Sequence, residues 1–506
     1  MNQSNLRNLV LPGLLVPCSV IVIINLLSGG GNQLGNTFGF LMVIGGILGF
    51  FSPRVSLIVF LCFQFYADFF KRLLVLGDAL SMQDVMASLG LGPILIVAAC
   101  LACAIQCFSG KVPFFNLRDI VIFLGCCFVS IFGALTRESL NSGVTAIGQA
   151  MIGSSMLGMS AYACYVLFRT KEDAHLVLKI MALSAIPMAL YTFQQYFFGI
   201  AGWEEDYIRT GMSQVLYEFY MMDGISMRPF STLNTHTSVG AISGALMLVC
   251  LLILTRGKGL FNRRRSHWIA YTALACLYLG ACLISRNRTT YLLPILGPLL
   301  LWLFSGGLKT ALFYISGTTI FVLAVRNSEW LNSQILTWAT QFEGTFIGSK
   351  IGSIGTFQDR LKGFIALNDG ANWAPFGLPE NERPFAHDQI TEVLLKFGYI
   401  PLAVILIIVT ICLVWWHRKC LRIEDVADRK LMIAITAIAV AVVSCSLAYG
   451  NLLFVAPVNS FVGFLLGLGF AALHRQRIAD MGRTSLKHQR NEESEHADLA
   501  YSTQTR

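Results

Sequence analysis

In the stretch FAHDQITEVLLKFGYIPLAVILIIV (385–409), four ionisable residues, His387, Asp388, Glu392 and Lys396, stand directly before a long apolar run. Ionisable groups at the mouth of an apolar segment are costly and suggest a site. An imidazole titrates near pH 6.5 (approximately), which suits general-base work on a hydroxyl. Asp388 and Glu392 are four apart and share a helical face, so either could orient the ring; both also suit a helix's first turn, where the dipole favours carboxylates. An interfacial or capping role is the alternative for His387. Cations form a second group. Arg228 lies in SMRPFSTLNTHTSVG, and Arg286 and Arg288 lie in LISRNRTTYLLP. If these converge, planar guanidiniums suit a polyanion such as a diphosphate; if not, they snorkel at helix ends. Metal chemistry is not implied. No HExxH or other ligand spacing appears, and the acidic WEED of 203–206 is remote from any histidine.

The elements that must carry these residues are membrane helices. The chain has 506 residues, 55% hydrophobic and 13% charged, with a mean hydropathy of +0.65. Its apolar residues fall in long runs, which indicates an all-α polytopic integral membrane protein. Windows of bilayer-spanning length give roughly fourteen helices, with twelve to fourteen as the range. They centre on 9–27, 36–51, 55–70, 92–108, 119–135, 149–168, 177–199, 236–255, 267–284, 290–304, 308–325, 398–416, 431–449 and 457–473. The third and tenth are short or interrupted. Nearly all of the 14 cysteines lie in apolar runs, and none lies in the long polar connections, so no disulfide framework is expected. CLAC at 100–103 reads as core packing.

The net charge of +9 resides in short loops, which fits the positive-inside pattern rather than nucleic-acid binding. SGKVPFFNLR, RTKEDAH, RGKGLFNRRR, HRKCLRIEDVADRK and the tail from HRQR all fall on one side in this register, with both termini cytoplasmic. The opposite face receives two long connections, 200–235 and 326–386; the latter, about sixty residues, is long enough to fold over a site. Sorting by side leaves only His236 and His387 as outer-face histidines. Residues 474–506 are charged and read as a disordered cytoplasmic tail.

Three segments resemble signatures of the bacterial O-antigen ligase and polysaccharide polymerase superfamily. They are RPFSTLNTHTSVGAISG, SRNRTTYLL, and GTFQDRLKGFIALNDGANWAPFGLPENERPFAHDQITEVLLKFG. Their order and spacing match over about residues 226–416, while residues 1–199 match only as membrane helices. Asp388 stands where family members often carry Asn, Ser or Gln, and His236 stands where another residue type is common.

The resemblance implies a GT-C-like, metal-independent membrane glycosyltransferase of the inner membrane with a periplasmic active site and no cofactor. Residues 226–473 would form its catalytic region, including the loop 326–386. The donor would be a glycan on undecaprenyl diphosphate. The acceptor would be lipid A–core in a ligase, or another lipid-linked repeat in a polymerase of O-antigen or exopolysaccharide. The Asp388 departure tilts this slightly toward polymerase. A flippase and a chain-length regulator would be partners. His387 would be the catalytic base, Arg228, Arg286, Arg288 and Arg360 would hold the diphosphate donor, and Asp388, Glu392 and His236 would support them. Trp373, Phe376 and Phe385 would offer sugar-stacking surfaces. The competing class is a transporter or flippase of lipid-linked glycan, which would need polar residues lining a path through the bilayer.

Overall fold

The computed structural model describes residues 33–77, 82–108, 144–211, 213–217, 228–255, 265–285, 287, 289–305, 370–379, 382–383, 389–448 and 456–504. Among these residues the regular structure is entirely helical. The helices are α1 (Gln33–Phe51), α2 (Pro53–Phe63), α3 (Ala67–Gly77), α4 (Met82–Phe108), α5 (Val144–Leu167), α6 (Lys171–Ser184) and α7 (Ile186–Phe198). After them come α8 (Gly202–Arg209), α9 (Gln214–Tyr217), α10 (His236–Thr255), α11 (Arg265–Ile284) and α12 (Leu292–Ser305). The last four are α13 (Gln389–Phe397), α14 (Tyr399–Arg422), α15 (Val426–Ala448) and α16 (Val458–Gln504).

Five described helical stretches are long and apolar enough to cross a membrane: Lys171–Phe198, His236–Leu254, His267–Ile284, Tyr399–Arg422 and Val458–Arg483. A sixth is the pair α2 and α3, which bends by 65°. Leu91–Gln106, Met156–Leu167 and Leu292–Phe304 are shorter apolar helices. The segments expected at 9–27, 119–135 and 308–325 lie outside the described residues, as do most of the loops at 109–118 and 256–265. In place of the disordered tail expected over 474–506, α16 continues as helix to Gln504. Its charged half is rich in Ala, Arg, Lys, Glu and Gln, lacks proline, and carries a Gln476–Asp480 bond at i,i+4 (2.8 Å), all of which favour helix over coil.

Where helices sit among other apolar groups, close approach replaces hydrophobic burial as the main source of association, and small residues permit it. Gly463 and Gly467 of α16 face α5. A Cβ at either would sit 2.4 Å from the Leu157 carbonyl oxygen and 2.6 Å from that of Ala161, respectively. On α10, a Cβ at Gly240 would meet Thr290 Oγ1 at 2.2 Å, and one at Gly244 would meet Leu293 Cβ at 2.8 Å. Both contacts use GxxxG spacing, which repeats on one helical face.

One end of the bundle is tied by ion pairs between distant loops. Arg475 forks onto Asp428 at 2.6 and 2.9 Å and also donates to the Arg169 carbonyl, Lys171 reaches Asp425 at 2.6 Å, and Arg54 pairs with Asp173. Thr170 and Asp173 close a reciprocal capping box at the start of α6, each bond 3.1 Å. Three of the basic loops expected on a common side, RTKEDAH, HRKCLRIEDVADRK and HRQR, thus meet at one end.

Candidate functional site

At the opposite end, the α2–α3 bend, the C-terminus of α7, α8 and the turn before α10 meet around a buried ion pair. Arg72 Nη1 lies 2.9 Å from Glu204 Oε1, and both side chains are fully buried. The bend itself depends on partners far away in the chain. Tyr66 N–H turns back to Phe63 O (2.9 Å), and Thr232 Oγ1 donates to the Phe65 carbonyl at 2.7 Å. Side chains of neighbouring segments here satisfy backbone that a broken span would otherwise leave bare. Asp68, one turn ahead of Arg72, accepts from the Asn234 backbone N–H.

Both ends of the Gln195 amide are used. Its Nε2 donates to the two Glu204 oxygens at 3.1 and 2.9 Å, and its Oε1 accepts from Ser231 N–H at 2.7 Å. Ser231 Oγ donates to the Met188 carbonyl, and the Ser231 carbonyl accepts from Arg72 Nη2. Ser231 therefore makes three bonds while its backbone sits at φ 52°, a left-handed conformation that costs a non-glycine residue on the order of 1–3 kcal/mol. Phe230 completes the clamp, with its ring 4.6 Å beneath the Arg72 guanidinium. Burial pushes the Glu204 carboxyl up, against the pull of Arg72 and Gln195, and burial also pushes the Tyr207 hydroxyl up to about 12.

This clamp fixes the turn between two residues singled out from sequence. Arg228 precedes it, His236 follows it as the first residue of α10, and Arg228 Nη1 lies 3.5 Å from His236 Nε2. Arginine can only donate, so Nε2 is the acceptor and the imidazole proton belongs on Nδ1. Next to His236, Thr237 Oγ1 accepts from Asn287 Nδ2 at 2.6 Å. Asn287 lies between Arg286 and Arg288 and also organises its own turn, accepting from Thr289 N–H at 3.0 Å and from Thr290 Oγ1 at 2.9 Å. Cys445 near the end of α15 donates to the Thr289 carbonyl at 3.2 Å. The first two signature segments are therefore adjacent in space.

The third segment is anchored separately. Leu378 N–H reaches Leu395 O at 2.9 Å, and Tyr399 N–H reaches Ala374 O at 3.1 Å. The approach is closest at the two glycines. A Cβ at Gly398 (φ 92°) would sit 2.3 Å from Pro375 O, and one at Gly377 (φ 87°) would sit 2.4 Å from Lys396 O. The Phe376-Gly377 turn is thereby locked onto the end of α13, which also packs against α15. Trp373 is half-exposed and Phe376 is exposed.

Of the residues singled out, Arg228 and His236 come together. Arg286, Arg288, Arg360, His387, Asp388 and Phe385 lie outside the described residues, as does the side chain of Glu392. Among the described residues no group of three or more His, Cys, Asp or Glu could hold a metal. Sequence reasoning passed over Arg72, Gln195 and Glu204. The available signal was Lys71-Arg72 closing an apolar run on the face where the charge pattern predicts few cations, together with an acidic partner in WEED. Comparisons with protein-family models, curated proteins and solved structures find no match to this chain.

Proposed function

We propose that the chain is an inner-membrane glycosyltransferase that moves or polymerises glycan from an undecaprenyl-diphosphate donor onto an acceptor hydroxyl at the periplasmic face, with polymerase slightly favoured over ligase. The observation that carries this reading is the adjacency of the first two signature segments: Arg228 meets His236, and Asn287, flanked by Arg286 and Arg288, bonds to the very next residue, Thr237. Three arginines in neighbouring segments suit a diphosphate. Fixed cations in a water-poor site act strongly on the charge that develops on a leaving group.

In the proposed step, His387 takes the proton of the acceptor hydroxyl, whose oxygen attacks the donor's C1. The C1–O bond to phosphate breaks, and undecaprenyl diphosphate leaves with the bonding electron pair, neutralised by Arg228, Arg286, Arg288 and Arg360. Direct displacement inverts the anomeric carbon. Asp388 or Glu392 orients the imidazole.

The alternative, a transporter or flippase, needs ionisable or polar groups along the membrane path. The described buried charges instead gather at the two bundle ends, around Arg72–Glu204 and around Asp173 and Asp428. The deciding experiment incubates purified protein in detergent with lipid-linked donor and acceptor, with no membrane gradient. Product formation that is lost in His387→Ala and Arg286→Ala supports the transferase. Absence of product across the candidate acceptors, alongside gradient-free flipping in vesicles, rejects it.

A further inference from the structure

At the end of the bundle opposite Arg72 and Glu204, four cations have a carboxylate. Arg54 has Asp173, Lys171 has Asp425, Arg475 has Asp428, and Arg483 has Glu424. Arg169 differs in that its unpaired edge is buried. Its Nε and Nη2 atoms are both buried and, among the described residues, neither makes a hydrogen bond. Only the face of the guanidinium is engaged, 5.1 Å over the Tyr165 ring.

Nε and Nη2 form one edge of the guanidinium, with two N–H groups pointing the same way. That edge matches two oxygens of a phosphate in a bidentate contact. A buried charged donor without a partner is costly, so an edge held this way suggests a ligand. The surroundings are cationic as well. Tyr165 OH lies 3.3 Å from His474 Nδ1, with the two rings edge to face at 5.9 Å. Arg475 and Arg477 follow on the same helix, and their charges, with that of Arg169, bear on the His474 imidazole. Arg475 is neutralised by Asp428; Arg477 is exposed and opens the cluster toward the surface.

We propose that Arg169, His474 and Arg477, between the C-terminus of α5 and the middle of α16, form a site for a phosphate-bearing anion. The same chemistry could be supplied by the headgroup of an acidic lipid or by free phosphate. Acidic lipids concentrate at the membrane face that basic loops prefer, which favours the headgroup. This site lies at the far end of the bundle from Arg228 and His236 and does not depend on the transferase reading.

The test is thermal unfolding of the full chain in detergent, with phosphatidylglycerol, phosphatidylcholine or inorganic phosphate added. A ligand that binds only the folded state raises the melting temperature with its concentration, here by roughly 2–4 °C near saturation. A rise with phosphatidylglycerol but not phosphatidylcholine, lost in Arg169→Gln and reduced in Arg477→Gln, identifies a lipid headgroup site. A rise with inorganic phosphate alone, lost in the same variants, identifies a free-anion site. Arg477 is exposed, so its variant keeps the test meaningful if Arg169→Gln folds poorly. Equal rises with both lipids, or a rise unchanged in both variants, overturn the proposal.

Discussion

Arg72 and Glu204, 132 positions apart, meet in a fully buried ion pair 2.9 Å long, and the same guanidinium also holds the carbonyl of Ser231 in the turn between Arg228 and His236. One arginine therefore links a helix bend, a surface helix and the entrance of α10. Burying such a pair gains little net stability over an apolar pair, but breaking it on one side strands a charge. Its contribution is to geometry.

Arg72→Met and Glu204→Leu should each destabilise the protein by about 3–5 kcal/mol, because each leaves an unpaired buried charge. The double variant should lose much less than the sum. Unfolding curves of the four proteins form the cycle, and additive losses would show that the pair is not coupled.

On the proposed function, Arg228→Ala should lower the rate of glycosyl transfer by roughly 10²–10³-fold, as expected for removal of a fixed charge-stabilising donor. Arg228→Lys should recover only part of that rate, since an ammonium cannot fork onto a diphosphate. Equal activity of Lys and Arg at this position would argue for a plain interfacial cation.

Gly463→Val forces side-chain atoms into the Leu157 carbonyl, so it should destabilise by about 1–3 kcal/mol or more through the α5–α16 contact. At Gly482, on the same helix, an added Cβ meets nothing within 4 Å. Gly482→Ala should therefore stabilise by about 0.5–1 kcal/mol. Melting temperatures of the two variants should move in opposite directions.

Partial burial acts to raise the Asp425 carboxyl, but the Lys171 ammonium and the N–H groups of Ala427 and Asp428 outweigh it and hold it below the usual range. A depressed carboxyl lends stability above its unfolded pKa, near 3.9 (approximately), and that stability is lost as pH falls through the folded value. Wild type should thus melt above Asp425→Asn at neutral pH, and the gap should close on acidification below about pH 4. A gap that stays constant down to pH 3 (roughly) would count against the Lys171 linkage.

Hydropathy alone identified the helices at His236–Thr255 and Arg265–Ile284 to within two residues and those at Tyr399–Arg422 and Val426–Ala448 to within six, because a backbone in lipid must satisfy its hydrogen bonds internally and needs a run of apolar side chains to do so. Charge bias likewise grouped the loops around Arg169, Asp425 and Arg475, which the ion pairs then joined. The span expected at 55–70 was legible as apolar but not as bent. Its break at Gln64–Tyr66 depends on Thr232 and Ser460, more than 160 residues further along the chain. Composition reads the tail as coil because it measures the absence of a core, whereas the helix that runs to Gln504 depends on propensity and on a folded helix already present to extend. Arg228 and His236 were legible as types expected at one face. Their 3.5 Å approach was not, because it depends on a turn at Ser231 whose strained backbone is held by Arg72, Gln195 and Met188 from other helices. Local sequence encodes which segments leave water and at which end charges collect. Which charges meet is decided by packing, since a buried ion pair has no preferred separation along the chain.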